Sequence, residues 1–152
     1  MYKMKMMDHI VAHSLQVCRV ATFLADSLEA DLNPDLVQAA ALLQHVLLDE
    51  YFASDSPTEA DVVNYADKRV VHDKVATLAQ RIDYIMERYG IEPKRREYIR
   101  MLWEKTKTLE EHLFRFCSFS PADMENLLGP DNCSADFSEY SRVNETVTVG
   151  TG

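Results

Sequence analysis

Two polar side chains fall where apolar ones are expected, and both are of types that bind cations. On a helical wheel of about 100° per residue, Asp67 lies between Val63 and Val71, with Ala60 and Val70 close by. A carboxylate centred on an apolar stripe is costly unless a cation or several donors satisfy it. Two readings stand for it: a carboxylate bonded to a neighbouring helix or arginine, or a metal ligand. His13 has the same character, sharing a face with Ile10, Val17, Val20 and Leu24. An inward histidine is either a hydrogen-bonded core residue or a ligand. His9 lies one turn earlier, and histidines at i and i+4 can chelate one ion, but this pair starts in a turn prone to fray. The literal pair His72-Asp73 is a decoy on this wheel. His72 sits about 140° around from Asp67, so the two cannot converge from one helix, and a solvated loop is its expected place.

His45 lies within "AAALLQHVLLDEYF". If residues 34 to 49 form one helix, His45 shares a polar edge with Gln38 and Asp49. That helix is otherwise apolar nearly all round from Leu36 to Leu48, which implies burial on most sides. Lys68 and Arg69 follow directly after Asp67 and either reach phosphate oxygens or form a solvated basic pair.

The elements that carry these residues are helices. The spacing predicts one from Asp8 to Glu29 on Ile10, Val17, Val20, Leu24 and Leu28. A second begins after Asn33, a cap, with Pro34 in its first turn. Ser56 with Glu59 reads as a capping box, with Pro57 at the first helical position, opening a helix through "TEADVVNYADKRVV". Thr77 with Gln80 forms another box over "TLAQRIDYIMERYG", ended by Gly90, which leaves "HDKVA" as a joint. Pro93 opens the longest segment, with Tyr98, Met101, Leu102, Leu109, Leu113 and Phe116 as its apolar face. A short helix follows Ser120-Pro121 and ends near Gly129. The pattern then disappears, and residues 129–152 read as a tail or strap. The expected fold is all-α: one bundle of about five to six helices over residues 1–128.

Composition bounds the function. The 152 residues are enough for one domain with a proper core, and 47% apolar with 27% charged residues is ordinary for a folded chain. A net charge of −9 without a basic stripe disfavours nucleic acid as a partner. The three cysteines, Cys18, Cys117 and Cys133, form no CxxC pair, which suits a reducing cytoplasm. No apolar h-region follows "MYKMKMMDHI" and no run approaches membrane-spanning length, so a cytoplasmic chain with no membrane partner is expected.

The segments "HSLQVCRVATFLADSL", "LVQAAALL", "QHVLLDEYF" and "VVNYADKRV" together resemble the HD-domain family of metal-dependent phosphohydrolases. "TLAQRIDYIMERYG" and "LEEHLFRF" also look like that family's closing helices, so the resemblance covers roughly residues 8 to 128. It implies an all-α fold whose metal ligands are a first-helix histidine, an adjacent His-Asp pair and a later aspartate. The first looks like His13 and the last like Asp67, in "YADKRV". In the family, "AALL" leads straight into the His-Asp pair, whereas here "AAALL" is followed by Gln44-His45. "QHVLL" resembles a later family segment whose histidine can serve a second metal. Either the site is degenerate, with Gln44 and His45 standing where histidine and aspartate belong, or a segment is missing between Leu43 and Gln44, which would account for this join and for the over-apolar helix.

The resemblance implies one or two divalent cations, from Mn, Fe, Co, Ni, Zn or Mg, held by His13, Asp67 and His45. It also implies a small phosphorylated substrate, a nucleotide among the candidates, met by Lys68 and Arg69. If the His-Asp pair is truly absent, the alternative is a non-catalytic HD-like ligand-binding or regulatory module. A helical protein that forms a homo-oligomer through the segment from Pro93 ranks last.

Overall fold

The first helix is built on one stripe. Val17, Val20, Ala21, Leu24 and Leu28 are all buried, at the i, i+3, i+4 spacing that keeps side chains on one helical face. In the computed structural model, which describes residues 2–43 and 55–129, this helix is α1, Tyr2–Ser27. It is followed by α2 (Pro34–Leu43), α3 (Glu59–Lys68), strands β1 (Val70–Val71) and β2 (Lys74–Val75), α4 (Leu78–Tyr89) and α5 (Pro93–Phe114). A 3-10 turn, Pro121–Asp123, leads into α6, Met124–Leu128. The described residues form an all-α fold of six helices with one minimal hairpin. His45 and the tail beyond Gly129 lie outside the described residues.

α3 is the central element. Its residues Asp61 to Ala66 are all buried, because α1, α2 and α5 pack around it. Leu24, Leu109 and Leu113 complete the core at 0% exposure, each worth about 1.5–3 kcal/mol of apolar burial. α2 is covered on one side only: Val37 and Ala41 are buried, while Leu36 and Leu42 are 51% and 49% exposed. The expectation of a helix buried on most sides does not hold for its described part.

Helix starts follow local chemistry. Asn33 Oδ1 accepts from the backbone of Asp35 and Leu36, and Pro34 takes the first helical position, where no N–H is needed. Thr77 and Gln80 form the reciprocal box expected of them, at 2.9 and 3.1 Å. α3 corrects the expected start by two residues. Its cap is Thr58, boxed with Asp61, and Glu59 instead accepts from the Asn33 backbone. Both registers satisfy the box rule; the later one places Val62, Val63 and Ala66 in the core.

The expected continuous helix through Val71 is also corrected. α3 stops at Lys68, and Val70–Val71 pairs antiparallel with Lys74–Val75, Val70 opposite Val75. His72 turns the hairpin with φ +57°, a left-handed conformation uncommon outside glycine but one that histidine, like Asn and Asp, adopts more readily than most residues. On α5 the apolar face is rotated from the expected one as far as Thr106: Tyr98 and Met101 are exposed, whereas Ile99 and Thr106 are buried. Thr106 can sit inside because its hydroxyl donates to the Leu102 carbonyl within the same helix.

Gly90 ends α4 for a reason other than a left-handed twist, since its φ is −83°. A Cβ there would stand 2.5 Å from the Met86 carbonyl oxygen. Gly90→Ala should therefore destabilise by about 1–3 kcal/mol, the usual cost of overpacking, read as a lower urea midpoint at unchanged m. An unchanged midpoint would show that the helix end shifts without resistance.

Candidate metal-binding site

The two residues singled out by the wheel meet. His13, in the middle of α1, and Asp67, in the last turn of α3, approach to 3.0 Å between Nε2 and Oδ1. Both are partly buried, with side chains 19% and 29% exposed, so the pair lies at the rim of the core and not inside it. Core contacts fix the two helices: α1 and α3 pack directly, and Val17 and Val63 are buried beside the pair in sequence.

The hairpin turn orients the imidazole. The carbonyl of His72 can only accept, so His13 Nδ1 carries hydrogen and donates to it across 2.6 Å. One turn along α1, the Gln16 amide donates to the Asp73 carbonyl at 2.9 Å. His72 and Asp73 thus serve through their backbone, and no rule of side-chain spacing could have found them. The ring of His72 is exposed and meets Tyr84 of α4 edge-on at 5.1 Å.

This tautomer has a consequence for the other nitrogen. With hydrogen on Nδ1, a neutral His13 turns a bare lone pair toward Asp67 Oδ1, and two acceptors do not attract. Either Nε2 is protonated too, or a cation lies between the two atoms. His13 Nε2 and Asp67 Oδ1, 3.0 Å apart, would be the atoms to hold such a cation, a nitrogen and an oxygen ligand of the kind zinc accepts. A metal-bound histidine characteristically donates its second nitrogen to a carbonyl. The pair has the donor types of a metal site but supplies only two ligands. Among the described residues no group of three or more His, Cys, Asp or Glu is placed to hold one.

Burial alone would raise the Asp67 pKa. The hydrogen bond from His13, the charge and hydrogen bond of Lys68 and the charge of Arg81 outweigh it, holding the carboxyl well below the ordinary range. The unfolded chain therefore takes up this proton at higher pH than the folded one. In metal-free protein, ionised Asp67 should stabilise the fold fully above about pH 5 and progressively less below it. Under chelation, the stability difference between wild type and Asp67→Asn should shrink from about pH 5 to about pH 3. A constant difference across that window would contradict the assignment.

The basic neighbours part company. Lys68 Nζ binds Asp67 Oδ2 at 2.9 Å, so it faces the pair. Arg69, expected at a substrate phosphate, is turned into the protein instead, with its side chain only 2% exposed. Nε donates to the Ala76 carbonyl at 2.6 Å, Nη1 to the Tyr65 hydroxyl at 2.6 Å, and both Nη atoms lie 3.3 Å from the Pro121 carbonyl. Its donors hold the fold together.

Beside the pair runs a cleft of about 280 Å³. His9, Ile10 and His13 of α1 line one side, Arg81 and Tyr84 of α4 the other. Ile10, expected as core, is 61% exposed here, because the apolar stripe of α1 runs out into this cleft. His9 shares the cleft.

Fold and site define a class: a small all-α protein that sets an inward His–Asp pair between two helices at the edge of an open cleft. No family model, curated protein or solved structure matches the chain. Among the described residues no helix is long and apolar enough to cross a membrane.

Proposed function

We propose that the chain is a metal-dependent phosphohydrolase of HD type, acting on a small phosphoester, with a nucleotide among the candidate substrates. The observation that carries the reading is the 3.0 Å approach of His13 Nε2 to Asp67 Oδ1 with Nδ1 already donating to the His72 carbonyl. The resemblance of the segments around both residues to that family supports it independently.

His13 and Asp67 would hold the cation, with His45 as a further candidate ligand outside the described residues. When bound, the metal would supply an acidified water and neutralise charge on phosphoryl oxygens. The chain's own residues do the rest. The His72 carbonyl keeps the His13 ring oriented, as an outer partner of a metal ligand does. Lys68 holds Asp67 in its anionic form. The cleft beside His13 gives a small substrate access from solvent.

Only two of the usual three protein ligands of a catalytic zinc lie among the described residues, and this favours the second reading, a ligand-binding or regulatory module of the same fold. Elemental analysis of the purified chain separates the two. Stoichiometric transition metal together with hydrolysis of an aryl phosphate supports the enzyme; metal-free protein without hydrolysis supports the module.

A further inference from the structure

Arg81, which lines the cleft, has a donor left without a bond: its Nε is buried and finds no hydrogen-bond partner among the described residues. Its charge helps hold Asp67 ionised, yet both Asp67 oxygens are already engaged, one with His13 and the other with Lys68. A buried donor without a partner costs about 1–3 kcal/mol, and such a group in a folded protein calls for an explanation. Nε itself has no surface open to the cleft; it is the rest of the Arg81 side chain that lines it.

The surroundings indicate what would occupy it. A guanidinium offers a planar fork of donors matched to phosphate and carboxylate oxygens. The chain as a whole carries a charge of −9, so an anion is drawn to this cleft by local cations and not by the overall field. Along the same face of α4, three, four and eight residues on, stand Tyr84, Ile85 and Tyr89. Across from them is Ile10, and Ile10 and Tyr89 are 61% and 51% exposed. The cleft thus joins one anion-binding group to an apolar, partly aromatic wall.

We propose that Arg81 anchors the phosphate of a small phosphomonoester in this cleft, with the ligand's apolar body against Ile10, Ile85 and Tyr89. The substrate role rests on the phosphohydrolase reading; the anion site rests on the cleft and the Arg81 side chain that lines it.

The test uses the full chain, labelled with nitrogen-15 and kept in chelator so that no metal contributes. Titration with inorganic phosphate should shift the Arg81 Nε–Hε resonance saturably. Arg81→Gln should weaken phosphate binding at least tenfold. Arg81→Lys should fall between, since it keeps the charge and loses the fork. Phenyl phosphate should bind more tightly than inorganic phosphate, and Tyr89→Ser should narrow that gap. No saturable shift in the wild type, or equal phosphate affinity in folded Arg81→Gln, overturns the anion site. Equal affinity for the two phosphates overturns the apolar wall.

Metal content is measured separately on the His13→Ala, Asp67→Ala double variant. If that variant keeps its metal, the phosphohydrolase reading falls while the titration still decides Arg81.

Discussion

Alanine at His13 and Asp67 together should strip divalent metal from the purified protein and reduce phosphoester hydrolysis by more than about 100-fold, beyond the 10–100-fold typical of losing only an outer partner. The expectation follows from the pair's geometry. Nε2 and Oδ1 stand 3.0 Å apart, and Nδ1 is committed to a carbonyl, so the lone pair of a neutral ring faces the carboxylate. Removing either side chain takes away half of the proposed ligand pair. His13→Asn keeps a polar group at the position but not the imidazole, and should bind metal no better than the alanine variant. Asp67→Asn separates charge from shape: it preserves one oxygen acceptor and should still lose most of the metal, because in the proposed site the anionic oxygen would hold the cation. The measurements are elemental analysis after dialysis and turnover of an aryl phosphate, with circular dichroism to verify the helices. Unchanged metal content and turnover in the folded double variant would remove the proposed chemistry.

Loss of Arg69 should be the most damaging single change to stability, at about 3–5 kcal/mol, the range for breaking a buried charged pair by removing one partner. For a domain of this size that is a fall in melting temperature of roughly 10–20 °C. The reason is the number of elements that one guanidinium joins. It reaches Ala76 after the hairpin, Tyr65 within α3 and Pro121 in the 3-10 turn, and it lies 3.9 Å from Glu110 of α5. Tyr65 passes the chain of bonds on, donating to Glu110 at 2.5 Å. Burial, above all, drives the Tyr65 phenol far above its ordinary pKa; the Arg69 charge opposes that shift and the Glu110 charge adds to it. Arg69→Met leaves the Ala76 and Pro121 carbonyls without this donor and the Glu110 carboxylate without its nearby cation.

Lysine should not rescue the site, because one ammonium cannot reproduce the fork that serves three acceptors. A double-mutant cycle with Glu110→Gln should show coupling, since both residues belong to one network. The same variants should also weaken metal binding, because the hairpin tied down by Arg69 carries the carbonyl that orients His13. A stability loss within about 0.5 kcal/mol, as at an ordinary surface position, would refute the strut.

Some of this was legible in the chain itself. The α1 stripe from Val17 to Leu28, the Thr77–Gln80 box, the Asn33 cap and the opening of α5 at Pro93 are local, and local rules describe them. So was the inward character of His13 and Asp67, because a wheel reports which face of a helix is covered. The hairpin was not legible: two residues per strand are too few to show a period of two, and Val70–Val71 continued the helical pattern. The rotated face of α5 was obscured by Thr106, a polar residue that satisfies itself inside the helix and so occupies a core position.

Tertiary structure alone decided what each inward residue meets. Periodicity shows that a side chain points inward, but carries nothing about the partner on the facing element. Arg69 and Lys68 are neighbours in sequence, yet one is turned into the core and the other toward the carboxylate. The His72 and Asp73 carbonyls that dock on α1 belong to the backbone, and a backbone acceptor has no signature in residue type. Arg81 reads as one cation among many until α4 packs and places it beside the His–Asp pair.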